Sequence, residues 1–487
     1  MPERPVPAGP HPQHGVGVGT VTPQETVEAA LALSRADGCV VIADEASEAN
    51  LRWANNTVTT NGVTYSRQLT VIAMVGQNTG MATGVVSRSA VTADQLEALV
   101  ESAEAAARDG AAAEDARPLV APGSALAAAS AAAWEAGPSE TSIEAFSHLI
   151  PSLRDAFDQA RGAGRLLFGF AEHQVGSTYL GTSTGLRLRH DQPTGRLELN
   201  AKSADFARSA WLGRGGASFD GYDLVALDAE LGQRLAWAEQ RIELPAGRYE
   251  TLLPATSVAD LMIYLYWSAG ARNAYEGRTV FSKAGGGTRV GESLAKLPLT
   301  LRSDPGDADL ACSPFAEAHM SGPMQSVFDN GLALAPTAWI REGKLANLLQ
   351  TRQSAELTGL ALTPAVDNLI LEGPPGAGGP SISEMAESTG RGLLLTSLWY
   401  IREVDPQTLL LTGLTRDGVY LVDAGEVVGA VNNFRFNESP VDLLARASEI
   451  GATERTLSRE WSDYFNRTAM PPLRIPDFNM SSVSQAT

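Results

Sequence analysis

Apolar residues recur at three-and-four spacing in a few stretches of this chain, and elsewhere they fall in short runs cut by Gly, Pro, Asn and Asp. The most continuous helical pattern lies near the middle. There Val258, Leu261, Met262, Leu265, Tyr266 and Ala269 share one face and predict a buried amphipathic helix. Ser257 and Asp260 read as its N-cap and a first-turn acid, which would satisfy orphan amides and suit the positive helix end. A charged turn over 272–278 and a glycine run at 285–287 follow. Many hydrolases place their chemistry where a helix enters such a loop, yet this helix carries no His, no Cys and no Asp/Glu pair at its end.

Upstream, Thr22-Pro23-Gln24-Glu25 combines a cap, a proline at N1 and a capping-box glutamate, so a helix through Val27, Ala30 and Leu31 is predicted, ended by Gly38. Strands are predicted over 39–43 and 49–58, with Asn61-Gly62 as a hairpin turn and partners over 65–75 and 84–87. Thr92 and Gln95 cap a second helix with Leu96, Leu99, Val100, Ala103 and Ala107 on its apolar face. The Ala-rich stretch 111–137 reads as a connection or a weakly packed helix, and Thr141 with Glu144 caps a helix interrupted at Pro151. Short strands over 165–170, 177–180, 186–189 and 196–201 carry the sheet to about Phe206, and 224–242 is helical by spacing.

Pro245-Ala246-Gly247 marks the best boundary. Beyond it, apolar runs over 391–401, 407–414, 418–422 and 426–436 are parted by turn residues at short intervals, which predicts an antiparallel meander, curled or barrel-like. Residues 371–383 read as a surface loop. The expected fold class is α+β. It comprises a disordered tail (1–21), an N-terminal α+β domain with an antiparallel sheet (22–244), and a strand-rich, barrel-like C-terminal domain with one buried helix (245–487).

Composition narrows the partners. The chain has 487 residues, 44% of them apolar, and a formal charge of -19 with a pI near 4.8. That balance argues against binding to nucleic acid, which needs clustered Lys and Arg, and disfavours an anionic membrane surface. No apolar run approaches the roughly 20 residues that span a bilayer. Cys39 and Cys312 are far apart, which suits two free thiols in a reducing compartment. The first twenty residues lack a signal-peptide pattern, and His11 and His14 read as solvated tail residues. A cytoplasmic location is expected.

One sequence-local cluster invites chemistry. Cys312, Glu317 and His319 are of the types that bind zinc or run nucleophilic catalysis, although their spacing matches no established ligand pattern. Glu172-His173 resembles half of a zincin signature without its partner, so His173 reads as a surface or satisfied strand residue. Residues 285–291 lack the Gly-Lys-Ser/Thr ending of a phosphate loop.

Arg52-Trp53-Ala54-Asn55-Asn56 resembles the R-F-A-N-N strand of the TldD/TldE (PmbA) family of bacterial metalloprotease-related proteins. The resemblance continues in family order through Glu276-Gly277-Arg278-Thr279, Gly392-Leu393-Leu394-Leu395-Thr396 and Asp442-Leu443-Leu444, from about Thr22 to the C-terminus. Trp399 to Asp405 and Pro476 to Ser482 look like an actinobacterial branch. In that family the catalytic member, TldD, is similar in this helix but bears His-Glu-x-x-x-His, with a later cysteine as third zinc ligand. Neutral imidazoles and a thiolate hold the ion, and the carboxylate takes a proton from its bound water. Laid on this sequence the signature falls on Tyr266, Trp267, Ser268, Ala269, Gly270 and Ala271, and no cysteine follows Cys312.

The resemblance therefore implies a TldE-like, non-catalytic member with no cofactor of its own. It would pair as a heterodimer with a TldD-like, zinc-bearing catalytic subunit around an enclosed chamber where peptides are cut. Tyr266, Trp267 and Ala271 would stand at the degenerate metal positions, and Tyr266, Trp267, Arg272, Glu276 and Arg278 are candidates to line the chamber. On their own spacing Tyr266 and Trp267 read equally as core aromatics. Two other readings stay open: an autonomous hydrolase with a site near Cys312, Glu317 and His319, and a peptide-binding or assembly protein without a peptidase partner.

Overall fold

The computed structural model describes residues 21–123, 133–376 and 378–484. Almost all of the expected tail, His11 and His14 included, and part of the 111–137 connection lie outside the described residues.

The N-terminal half is one six-stranded antiparallel sheet ordered β3-β2-β1-β4-β5-β6. Its strands are β1 (Gly38–Ala54), β2 (Thr57–Gln77), β3 (Gly80–Ser89), β4 (Arg165–Thr182), β5 (Arg187–Ser203) and β6 (Ser209–Gly216). The strands are far longer than the apolar runs predict, because polar residues in their centres are paired across the sheet. Thr178 donates to Asp44 at 2.8 Å and Arg67 pairs with Glu45 at 3.0 Å. The hairpin turn is therefore Asn55-Asn56, both left-handed at φ 52° and 59°, rather than Asn61-Gly62, which pair with Leu51 and Asn50 inside the ladder. Asn56 also ties the hairpin tip to β4, donating to the Arg165 carbonyl at 2.8 Å and accepting from the Leu167 amide at 2.6 Å.

Helices α1 (Pro23–Leu33) and α2 (Leu96–Asp109) pack their apolar faces against Val41, Ala43, Leu69, Val71 and Ala73. The Thr22/Glu25 and Thr92/Gln95 capping boxes both form. Gly84 lets α2 lie directly on β3, since a Cβ there would fall 2.0 Å from the Ala103 carbonyl oxygen. Helices α3 (Leu149–Gly162) and α4 (Leu224–Trp237) close a second core with Leu51, Trp53, Leu167, Leu197 and Leu199. Pro151 sits in the first turn of α3, where its missing N–H costs nothing, and does not interrupt it. The remaining face of the sheet, through Val40, Ile42, Leu186 and Leu188, packs against Phe315, Val327 and Phe328 of the C-terminal half.

The C-terminal half holds two sheets around one helix, α5 (Ala255–Trp267). A ten-stranded sheet runs in the order Leu398–Asp405, Leu410–Thr415, Phe434–Glu438, Leu473–Val483, Gly247–Leu253, Arg391–Leu395, Val419–Asp423, Glu426–Val431 and Arg241–Ile242, with Glu449–Ile450 beside Leu473–Val483. A six-stranded sheet joins Lys344–Leu345, Thr337–Arg341, Thr300–Ser303, Leu369–Glu372, Thr468–Met470 and Glu454–Thr456. Neither closes into a barrel, and the meander is broken: the single apolar run 391–401 bends at Thr396-Ser397 into two strands with four others between them. The expected 224–242 helix stops at Trp237, and Arg241–Ile242 instead pairs with Glu426–Val431. Within the 371–383 loop, Ser381 caps a short helix, Ile382–Glu387.

Helix α5 is buried on nearly every side instead of along one stripe: Ala255, Ser257–Ile263, Leu265 and Tyr266 are all inaccessible. Its N-cap is Pro254, and Ser257 lies inside the first turn, its hydroxyl donating to the Leu395 carbonyl at 2.9 Å.

Candidate functional site

Helix α5 ends at Trp267, the chain bends through 268–270, and a short helix, α6 (Ala271–Tyr275), begins. Gly270 pairs there with Leu349 as an isolated bridge, and the Ala271 amide donates to the Leu349 carbonyl at 2.9 Å. The bend opens into a cleft of about 670 Å³ lined by Tyr264, Trp267, Asn273, Arg278, Arg402 and Trp461, among others. Trp461 meets Trp267 edge-on at 5.2 Å and Tyr264 at 5.6 Å, so three aromatic rings form one wall. Arg278 and Arg402 bring positive charge and Glu403 negative charge to the same cleft.

Asp260 of α5 holds that wall in place. Its carboxyl Oδ1 accepts the Glu460 amide at 2.9 Å, and its backbone carbonyl accepts the Trp461 indole N–H at 2.9 Å. The Glu460 carboxylate in turn accepts the Tyr400 and Ile401 amides and pairs with Arg402 at 3.0 Å. Asp260 is wholly buried with Oδ2 unpartnered, and burial pushes its carboxyl well above the ordinary range.

The positions singled out by sequence divide between core and cleft. Tyr266 is 3% exposed, its ring packed on Trp339 and Phe465. Its hydroxyl donates to the Val366 carbonyl at 2.9 Å and accepts the Val366 amide at 2.8 Å, and burial drives its pKa up. Ala271 is also fully buried. Trp267 and Arg278 line the cleft, whereas Arg272 and Glu276 do not. Arg272 pairs with Glu114 at 2.6 Å and with Glu276 at 3.1 Å, and Glu276 also holds Arg278 at 3.0 Å.

The Cys312, Glu317, His319 cluster comes apart. Cys312 is buried, and desolvation pushes its thiol up to about 12, so it is no nucleophile at neutral pH. His319 Nε2 does lie 3.0 Å from Glu317 Oε1, but its other neighbour is Asp44 of β1, with Nε2 3.6 Å from Oδ2. The hydrogen bond to Glu317 raises the His319 pKa, while burial and then the Glu317 charge push Asp44 up to about 6. Asp44 carries no sequence signal of its own: only strand register and packing of the 315–333 segment on β1 bring it to His319. His173 is satisfied, Nδ1 lying 2.6 Å from the Thr141 hydroxyl and Nε2 3.0 Å from the Ala217 carbonyl.

A second cavity of about 600 Å³ is lined by Lys202, Arg208, Arg241, Arg416 and Arg459. Its cations are largely engaged: Arg459 pairs with Asp417 at 2.8 Å, Arg208 with Glu239 at 2.9 Å, and Lys202 lies over two Phe rings. Among the described residues no helix is long and apolar enough to cross a membrane.

Comparison with known proteins bears on this arrangement. Residues 246–482 match the model of the PmbA/TldA metallopeptidase C-terminal domain, and residues 39–107 match that of PmbA/TldA metallopeptidase domain 1. No curated protein sequence matches. Among solved structures, TldE from Thermococcus kodakarensis superposes with a TM-score of 0.74 at 15% identity, over 93% of this chain and 98% of that one. A protein described as a candidate modulator of a DNA gyrase from Thermotoga maritima gives 0.72 at 15% identity, over 94% and 99%. One of the same description from Bacteroides thetaiotaomicron gives 0.71 at 14% identity, over 95% and 98%. At such identities the structural likeness speaks for the fold, and the two domain models, in their order along more than half of the chain, speak for descent: the chain belongs to the PmbA/TldD metallopeptidase family.

Proposed function

We propose that this protein is the TldE-like, non-catalytic subunit of a heterodimeric metallopeptidase of the cytoplasm, and that the cleft at the end of α5 is its share of a peptide chamber. A TldD-like partner would supply the zinc ion and cut the peptide. Unfolded peptides and leader peptides of ribosomally made natural products are the substrates this reading favours.

One observation carries it. Where the catalytic relatives are expected to hold zinc, Tyr266 commits its hydroxyl to both backbone groups of Val366, and Ala271 is sealed against Leu349. A ligand at either position would first have to displace core packing. The cleft wall of Tyr264, Trp267 and Trp461 offers flat apolar surface that tolerates many side chains, and peptide main chain could add to a neighbouring strand edge for sequence-independent affinity.

Co-expression with the TldD-like chain is the test. The isolated chain should cleave no peptide, and the pair should cleave with activity lost on chelation. The hydrolase reading centred on Cys312, Glu317 and His319 loses its cysteine nucleophile, since Cys312 is buried and outside the His319 cluster, and cleavage by the isolated chain that disappears in His319→Ala would favour it. A peptide-binding or assembly role without a peptidase would be favoured if no neighbouring gene encoded a chain with His-Glu-x-x-x-His in this helix.

A further inference from the structure

Asp44, Glu317 and His319 are the one group of three or more His, Cys, Asp or Glu among the described residues whose ligating atoms all lie within 4.8 Å of one another. The strand register assembles one side. Asp44 pairs with Thr178 of β4, and two residues back along β1 Ile42 pairs with Thr70 of β2, which pairs with Ser87 of β3. Directly paired residues and residues two apart share a sheet face, so Asp44, Thr178, Thr70 and Ser87 all face the 315–333 segment.

That segment is held firmly. Buried Asn330 accepts the Ala318 amide at 2.6 Å and donates to the Ala318 carbonyl at 2.9 Å, fixing the residue between Glu317 and His319. Ser321 and Ser326 both donate to Asp115 at 2.6 Å.

We propose that Asp44, Glu317 and His319 bind a divalent transition-metal ion, of the zinc or manganese type, that clamps the N-terminal sheet to the C-terminal half. An ion with nitrogen and oxygen ligands at about 2.1 Å places neighbouring ligand atoms roughly 3.0 Å apart in octahedral and 3.4 Å apart in tetrahedral geometry. The 3.0 Å and 3.6 Å spacings from His319 Nε2 to Glu317 and Asp44 fall close to these values. The outer contacts are those a metal site needs. His319 Nδ1 lies 3.0 Å from Thr70 Oγ1, which lies 2.8 Å from Ser87 Oγ, so a proton on Nδ1 leaves the Nε2 lone pair for the ion. Thr178 holds Asp44 Oδ1 at 2.8 Å and leaves Oδ2 for the ion.

Charge and access agree. Two carboxylates with a neutral imidazole balance a dication. The side chains are 29%, 23% and 37% exposed, so water can complete the shell. One imidazole with two carboxylates suits borderline and harder transition ions. The loop runs on to Pro323 in the cleft lining and to Met324 against Gly270, which ties the clamp to the wall of the candidate site.

The test uses the full chain, stripped with chelator and titrated with Zn²⁺, Mn²⁺ and the spectroscopic probe Co²⁺. About one ion per chain should bind, with Co²⁺ absorption bands in the visible, and both should vanish in Asp44→Asn and His319→Ala. His11→Ala with His14→Ala should leave the bound ion in place, which separates it from the tail. Thr70→Val should weaken binding roughly tenfold without abolishing it, whereas a purely structural threonine would leave affinity unchanged. If His319→Ala fails to fold, Asp44→Asn and Thr70→Val carry the same test. No binding at micromolar metal, or an ion that survives Asp44→Asn, would overturn the proposal and leave the cluster as an ion-pair latch. Metal binding is read on the isolated chain separately from peptide cleavage, so bound metal without cleavage supports this site and leaves the TldE-like reading intact.

Discussion

At the scale of single residues, Tyr266 and Trp267 separate core from cleft although they are neighbours. Tyr266→Phe removes a hydroxyl that satisfies both backbone groups of Val366, and it should cost about 1–3 kcal/mol in urea unfolding. It should leave peptide cleavage by the assembled pair unchanged. Trp267→Ala should raise KM for peptide in the pair, because this partly exposed ring lines the cleft, and should also cost stability through its lost contacts with Trp461 and Phe465. Asp260 gives a pH signature. Its folded pKa lies above the unfolded value of about 4, so the native state keeps a proton that the unfolded chain releases. Its contribution is therefore most favourable below pH 4 and is lost as pH rises towards the folded pKa. Asp260→Asn should flatten that fall, gaining on the wild type in unfolding free energy as pH rises above the unfolded value. A gap between the two proteins that does not change with pH would contradict the assignment.

The elements show what a sequence can and cannot reveal. Helices α1 and α2 were legible because their signals are local: Thr22 with Glu25, Thr92 with Gln95, and an apolar face within a few turns. The strands extend beyond their apolar runs because Asp44, Glu45 and Ser47, which break the apolar pattern of β1, are kept in the ladder by Thr178, Arg67 and the Thr141 amide on other elements. The hairpin tip falls at Asn55-Asn56 and not at the expected Asn61-Gly62, although both pairs suit left-handed turns. The winning register buries Asn56 and bonds it to β4. Asn56→Ala should accordingly cost about 2–3 kcal/mol by denaturant unfolding, since it strands the Arg165 carbonyl and the Leu167 amide. The same limit applies to chemistry. Glu317 and His319 were visible two residues apart, but Asp44 joins them only through tertiary packing.

For the whole molecule, polar contacts span the two halves. Arg352 donates to the Pro118 carbonyl at 2.8 Å, Arg467 to Thr194 at 2.6 Å, and Arg117 pairs with Glu356 at 2.6 Å. The acidic charge of -19 should keep the chain from binding DNA at physiological salt, and retention on DNA that falls steeply with added salt would count against that expectation. On the proposed reading the chain contributes to a chamber but does not cut. This is tested most directly by assaying unfolded peptide cleavage with this chain alone, with the TldD-like chain alone, and with the two together. Chelator-sensitive cleavage by the pair and none by this chain is the expected result, and robust cleavage by this chain on its own would contradict a non-catalytic role.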